Sequence, residues 1–122
     1  MLFRSVENSA DDVARGGTDI HATNPGEEMN FVGTLASTDN QGGNYGYPNC
    51  LAVWNTNIPD IGTMTVGSQF AVDVTDQTTT VTDADCAERV KPRLTFEPHT
   101  APLDIKFSAD GSKAFVSFHG SW

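Results

Sequence analysis

Alternating apolar and polar side chains give the clearest periodic signal in this chain, and it is strongest near residue 100. Leu103, Ile105 and Phe107 alternate with Asp104 and Lys106, a period of two that makes one face of a strand apolar. Asp110-Gly111 follows, a pair suited to the positive φ values of a tight hairpin turn. Residues 113–118 then read as the return strand, with Ala114, Val116 and Phe118 on one face and Phe115, Ser117 and His119 on the other. His99 enters this hairpin and His119 leaves it. In an antiparallel pair those two positions lie at the same end, so the pattern brings both imidazoles to one rim of a sheet.

Elsewhere the pattern is weaker but of the same kind. Residues 2–6, 28–35, 51–54, 69–74 and 93–96 read as short strands. Residues 7–12 read as a polar turn: Ser9 and the aspartates could cap a helix near Asp11, but Gly16-Gly17 would end it, and loop is the expectation. Asn24-Pro25-Gly26 is a turn, 39–47 a Gly- and Asn-rich loop, 58–67 a loop with Pro59 and Gly62, and 75–85 a Thr-rich loop. One helical turn is expected within 84–90. No 3.6-residue period is sustained, so the fold class is mainly β. Sandwich, barrel and propeller blades all suit short strands with turns between them.

Composition narrows the partners. The 122 residues carry a formal charge of -9, which argues against nucleic acid or an anionic membrane surface and suits a soluble acidic protein or one that binds a divalent cation. No apolar stretch approaches the ~18 residues of a spanning helix, and MLFR lacks the apolar run of an export signal. A hydrophobic content of 38% with 11 Gly points to a loop-rich structure. Cys50 and Cys86 form no C-x-x-C pair, which makes zinc or thioredoxin chemistry a poor reading. They remain two buried thiols or one disulfide. There is no Asn-x-Ser/Thr acceptor.

Several short motifs resemble, in order, those of one family. They are ENSADD at 7–12, NPGEEMNF at 24–31, NYGYPNC at 44–50, and HTAPLDIKF with AFVSFHGSW in the last stretch. Together they are similar to the fungal pyrroloquinoline-quinone-dependent pyranose dehydrogenases and their sorbosone and soluble glucose dehydrogenase kin. Only about residues 55–90 are generic. The resemblance implies a six-bladed β-propeller. At ~40–50 residues per blade, residues 1–122 would hold roughly two to three blades of antiparallel strands, a propeller domain truncated at both ends. It also implies secretion, an extracellular site in which the cysteines pair. The implied activity is oxidation of aldose-type sugars by hydride transfer to the quinone, with a cytochrome domain as an electron acceptor.

The resemblance assigns roles to few residues. His119 and His99 become cofactor-contacting positions at the quinone pocket; without it, each is an ordinary surface or hydrogen-bonded histidine. Calcium in the family binds main-chain carbonyls of the loop that corresponds to Ser9 and Ala10, which suits a hard cation taking 6–8 oxygens. Asp11, Asp12, Glu27 and Glu28 are either further cation ligands or solvated carboxylates. The D-x-D-x-D-G spacing of an EF-hand is absent. His21 is read as structural, Asn44–Pro48 as a tight turn with Tyr45 and Tyr47 packed across it, and Trp54 as core; Trp122 is placed on the cofactor or substrate side. The catalytic base is not assigned: family order puts it, with the cofactor-clamping arginines, outside this stretch, so the chain alone is not expected to turn over. Two other readings stand beside this one. One is a noncatalytic carbohydrate-binding module using Trp54, Tyr45 and Tyr47; the other is a structural disulfide-linked β domain.

Overall fold

In the computed structural model, which describes residues 2–34, 36–37, 42–73 and 80–120, short antiparallel strands dominate. The central strand of the largest sheet is β4 (Glu27–Thr34), entered through a cis Asn24–Pro25 bond. β1 (Leu2–Glu7) pairs on one side of it and β7 (Leu94–Phe96) on the other, both antiparallel. Glu27 and Glu28 therefore open the central strand, where adjacent side chains take opposite faces.

The other sheets are two-stranded. Residues 13–20, expected as loop, instead make a small hairpin of β2 (Ala14–Arg15) and β3 (Thr18–Asp19). Gly16 and Gly17, with φ of 55° and 76°, take the two left-handed turn positions that such a hairpin requires. Gly-Gly here is thus a reversal signal rather than a helix stop. β5 (Cys50–Ala52) pairs with β6 (Gln69–Ala71). Both are shorter than the apolar pattern predicts, although Val53, bonded to Ser68 and Gly67, and Val72, bonded to Asn49, carry the backbone pairing a step further and continue into the core. Val74 lies outside the described residues. α1 (Asp83–Ala87) starts slightly before the expected helical turn, behind a capping box in which Thr82 and Asp85 satisfy each other's backbone amides.

Val13, Ile20, Leu51, Val53, Phe70 and Val72 form the core, drawn from β5, β6 and the ends of the β2–β3 hairpin. Two single bridges tie the sheets together, Ala14 to Asp73 and Gly26 to Ala52. Arg15 adds a third link. It donates to both carboxylate oxygens of Asp83 (2.8 and 2.6 Å) and to the carbonyls of Ala71, Pro59 and Asp60. Cys50 and Cys86 form a disulfide, joining β5 to α1.

The last hairpin is β8 (Pro102–Phe107) with β9 (Ala114–Phe118), in the expected register at Ile105–Val116 and Phe107–Ala114. A bulge between Pro102 and Asp104 displaces Leu103, which is 61% exposed rather than part of a buried stripe. The turn is also wider than two residues: Ser108 and Lys113 close it, and only Gly111 of the Asp-Gly pair has positive φ. Trp54, expected in the core, is half-buried against the surface, and Tyr47 is exposed rather than packed across its turn.

Candidate functional site

Three chain segments meet at one end of the β1–β4–β7 sheet. The loop after β1 brings Asn8, Ser9, Ala10 and Asp11. The start of β4 brings Pro25 and Glu27. The entry and exit of the last hairpin bring His99, Ala101, His119 and Gly120. Together they line a pocket of about 260 Å³. Ser9, Ala10, His99 and His119, which the sequence reading singles out, thus lie around one cavity. The two histidines share a rim because the hairpin ends are stitched together: the His119 amide donates to the Ala101 carbonyl at 3.0 Å and the Gly120 amide to that of Thr100 at 3.1 Å.

The two imidazoles are not equivalent. His99 is held on both ring nitrogens. Nε2 lies 2.8 Å from the His21 carbonyl, which can only accept, so Nε2 carries a proton. Nδ1 lies 3.2 Å from Asp11 Oδ1. His99 therefore fastens the loop after β1 to the His21 segment, and its polar atoms serve the pocket wall. Its φ of 63° shows a backbone bent to the purpose. His119 is exposed, and its ring forms no hydrogen bond among the described residues. It is the imidazole of the pair available to a bound molecule. His21 pairs with Asp19 at 2.6 Å, which raises its pKa and lowers that of the aspartate.

The four carboxylates of the loop and strand separate. Asp11 and Glu27 line the pocket, and Asp12 is exposed outside it. Glu28 faces the other way into a buried network, accepting from Asn30 Nδ2 and Gln69 Nε2, both at 3.0 Å. Burial lifts its pKa to about 7, against the hydrogen bond from Asn30 and with the repulsion of Glu7. Glu27 is only 5% exposed, and its Oε2 accepts the Ser9 amide at 2.6 Å. That contact ties the loop of Ser9 and Ala10 to the sheet. The sequence carries the residue but not the contact, since 18 positions separate the partners.

The donor set suits a hard cation better than a soft one. Among the described residues no cluster of three or more His, Cys, Asp or Glu side chains could hold a metal. What the pocket offers is oxygen: the Glu27 carboxylate and the Ser9–Ala10 backbone. Among the described residues no Lys or Arg lines it. The rings of the carbohydrate-module reading do not assemble: Trp54 and Tyr47 line separate cavities, and Tyr45 donates its hydroxyl to the Phe31 carbonyl.

Residues 2–122 match the family described as TrAA12-like. The chain belongs to that family. It is 56% identical over 119 residues to the pyrroloquinoline quinone-dependent sugar dehydrogenase of Hypocrea jecorina (strain QM6a), across 96% of this chain and 27% of that protein. It is 38% identical over 126 residues to the pyrroloquinoline quinone-dependent pyranose dehydrogenase of Coprinopsis cinerea, across 98% of this chain and 17% of that protein. Among solved structures, the calcium structure of the Trichoderma reesei family AA12 enzyme superposes with a TM-score of 0.89 at 56% identity, over 97% of this chain and 29% of that one. The holo form of the pyranose dehydrogenase PQQ domain from Coprinopsis cinerea gives 0.80 at 35% identity, over 99% and 30%.

This TrAA12-like chain thus spans less than a third of the relatives it matches. Among the described residues its four small antiparallel sheets superpose on part of that PQQ domain's β architecture. All but one of the resembling motifs map onto the site: ENSADD is its loop, NPGEEMNF its floor and the two histidine-bearing motifs its rim, while NYGYPNC does not line it.

Proposed function

We propose that this chain is part of a pyrroloquinoline-quinone- and calcium-dependent dehydrogenase of aldose-type sugars, acting outside the cell, and that residues 1–122 are roughly two to three blades of its six-bladed propeller. The observation that carries the reading is the convergence of the Ser9–Ala10 loop, Glu27, His99 and His119 on one pocket in a chain of this family. The match to named sugar and pyranose dehydrogenases supports the substrate class.

A bound quinone supplies the two-electron acceptor and a divalent cation the Lewis acid. The chain's own residues hold and orient. The Ser9 and Ala10 carbonyls are the cation ligands of this reading, on a loop anchored by Glu27. His119, with its ring nitrogens uncommitted, offers one donor and one acceptor to the cofactor's edge. His99 keeps Asp11 and the loop in place and meets the cofactor through its ring alone. Among the described residues the pocket lining contains no Lys or Arg to meet the quinone carboxylates, and in this reading those partners, and the general base, come from the rest of the longer protein. A cytochrome domain is the proposed electron acceptor.

The test is quinone absorbance on mixing with protein, with and without calcium, followed by dye reduction with an aldose. Calcium-dependent spectral change is expected for the 122 residues and for the length of the relatives, with turnover only in the latter. Sugar-dependent dye reduction by the 122 residues alone would overturn their incompleteness. Absence of any quinone-dependent change in the longer protein would overturn the assignment itself.

A further inference from the structure

We propose that Glu27 is an anionic oxygen ligand of the cation in this pocket, held in place by the Ser9 amide; this rests on the calcium reading above. Glu27 sits at the start of the central strand, 5% exposed, and lines the cavity. Its Oε2 is fixed by the Ser9 N–H at 2.6 Å. Its Oε1 has no hydrogen-bond partner among the described residues.

With Oε2 held by one amide, the second carboxylate oxygen is left to meet an opposite charge in the cavity. Ser9, whose amide makes that contact, also lines the pocket. The other carboxylate at the cavity, Asp11, already faces His99, with Oδ1 3.2 Å from Nδ1. Carbonyls bring no formal charge, and calcium affinity rises with the charge count of the ligands. Glu27 is the residue placed to supply that charge. The amide that anchors Oε2 also fixes where the second oxygen lies, and it links the carboxylate to the backbone whose carbonyls share the site.

Calorimetric titration of calcium chloride into the purified quinone-free protein, with thermal melts in calcium and in chelator, tests this. E27Q keeps an oxygen for the Ser9 amide and removes the charge. It should melt near the wild type in chelator, bind calcium on the order of ten- to a hundredfold more weakly, and lose the rise in Tm that calcium gives the wild type. E27Q titrating like the wild type would overturn the role of Glu27 and leave the calcium reading standing. A wild type that takes up no calcium would overturn both. Should E27Q not fold, the infrared difference spectrum of the wild type, calcium minus chelator, decides. A shifted carboxylate stretch is expected, and an unchanged one overturns the proposal.

Discussion

At the scale of single residues, the most consequential choice is between two adjacent glutamates. Glu27 reaches the pocket and Glu28 the buried seam between β4 and β6, where Asn30 and Gln69 hold it. Sign and size of the Glu28 effect follow from its pKa. The folded value, about 7, lies above the 4.5 of an unperturbed glutamate. Between those values the folded chain keeps a proton that the unfolded chain has lost. Stability from this group is therefore complete below about pH 4.5 and declines as pH rises through 7, by about 3 kcal/mol at most. Glu7, also raised by burial, acts in the same direction, while the lowered Asp83, Asp85 and Asp110 act only in more acid solution. Urea unfolding between pH 5 and 8 should thus show a falling midpoint in the wild type and a shallower fall in E28Q, where Glu7 and His21, both raised, still act in the same direction. The new amide needs an acceptor, and turning Asn30 or Gln69 supplies one, since Asn30 Oδ1 and Gln69 Oε1 are buried without partners. An E28Q profile as steep as the wild type's would mean that Glu28 does not titrate in this range.

At the scale of elements, what was legible in the sequence was what repeats or what turns. The last hairpin follows from alternation, and the strands at 2–6 and 93–96 are legible as short apolar-containing runs. α1 does not, because five residues are too few for a helical period; its readable signal is the Thr82–Asp85 capping box. β2 and β3 are two residues each, too short to alternate, and only Gly16-Gly17 announces them. The candidate site was legible as motifs, but which atoms face the cavity was not: Ser9 to Glu27 and Asp11 to His99 are contacts across long sequence separations. The disulfide was legible only through family resemblance. It spans 36 positions and fixes α1 on β5, and in the chain-entropy model closing that loop stabilises by about 4 kcal/mol. The C50A/C86A double variant should lower the urea midpoint to match. Arg15 would still tether the helix through Asp83, and it cannot replace the covalent link, since a partly exposed ion pair contributes far less. Equal midpoints for wild type and variant would show that α1 docks without it.

For the whole molecule, the apolar surface is unevenly spread. The core lies around β5 and β6, whereas the last hairpin leaves Leu103 and Phe115 each 61% exposed, Phe107 44% and Phe118 42%. Phe118 is partly covered by an edge-to-face contact with Phe96 at 5.1 Å, and Phe107 lies beneath the Arg4 guanidinium. Neither contact shields Leu103 or Phe115. Four large apolar side chains on one two-stranded sheet exceed the scattered exposure ordinary for a soluble surface. Among the described residues β8 and β9 pair only with each other, so each also presents an unpaired backbone edge. A two-stranded hairpin is marginal unless its face is packed. The net charge of -9 opposes association at low salt, and screening removes that opposition at distances beyond the Debye length. The 122 residues on their own should therefore self-associate through this hairpin, with an average mass above 13.1 kDa that rises with concentration and with salt. Light scattering on a sizing column checks this. The L103S/F115S variant should return the mass toward the monomer, while V66S, at an exposed apolar site between β5 and β6 in the chain, should leave it unchanged. A wild type that stays monomeric throughout, or V66S acting as strongly as the hairpin variant, would mean that the face is already adequately covered by Arg4, Phe96 and water.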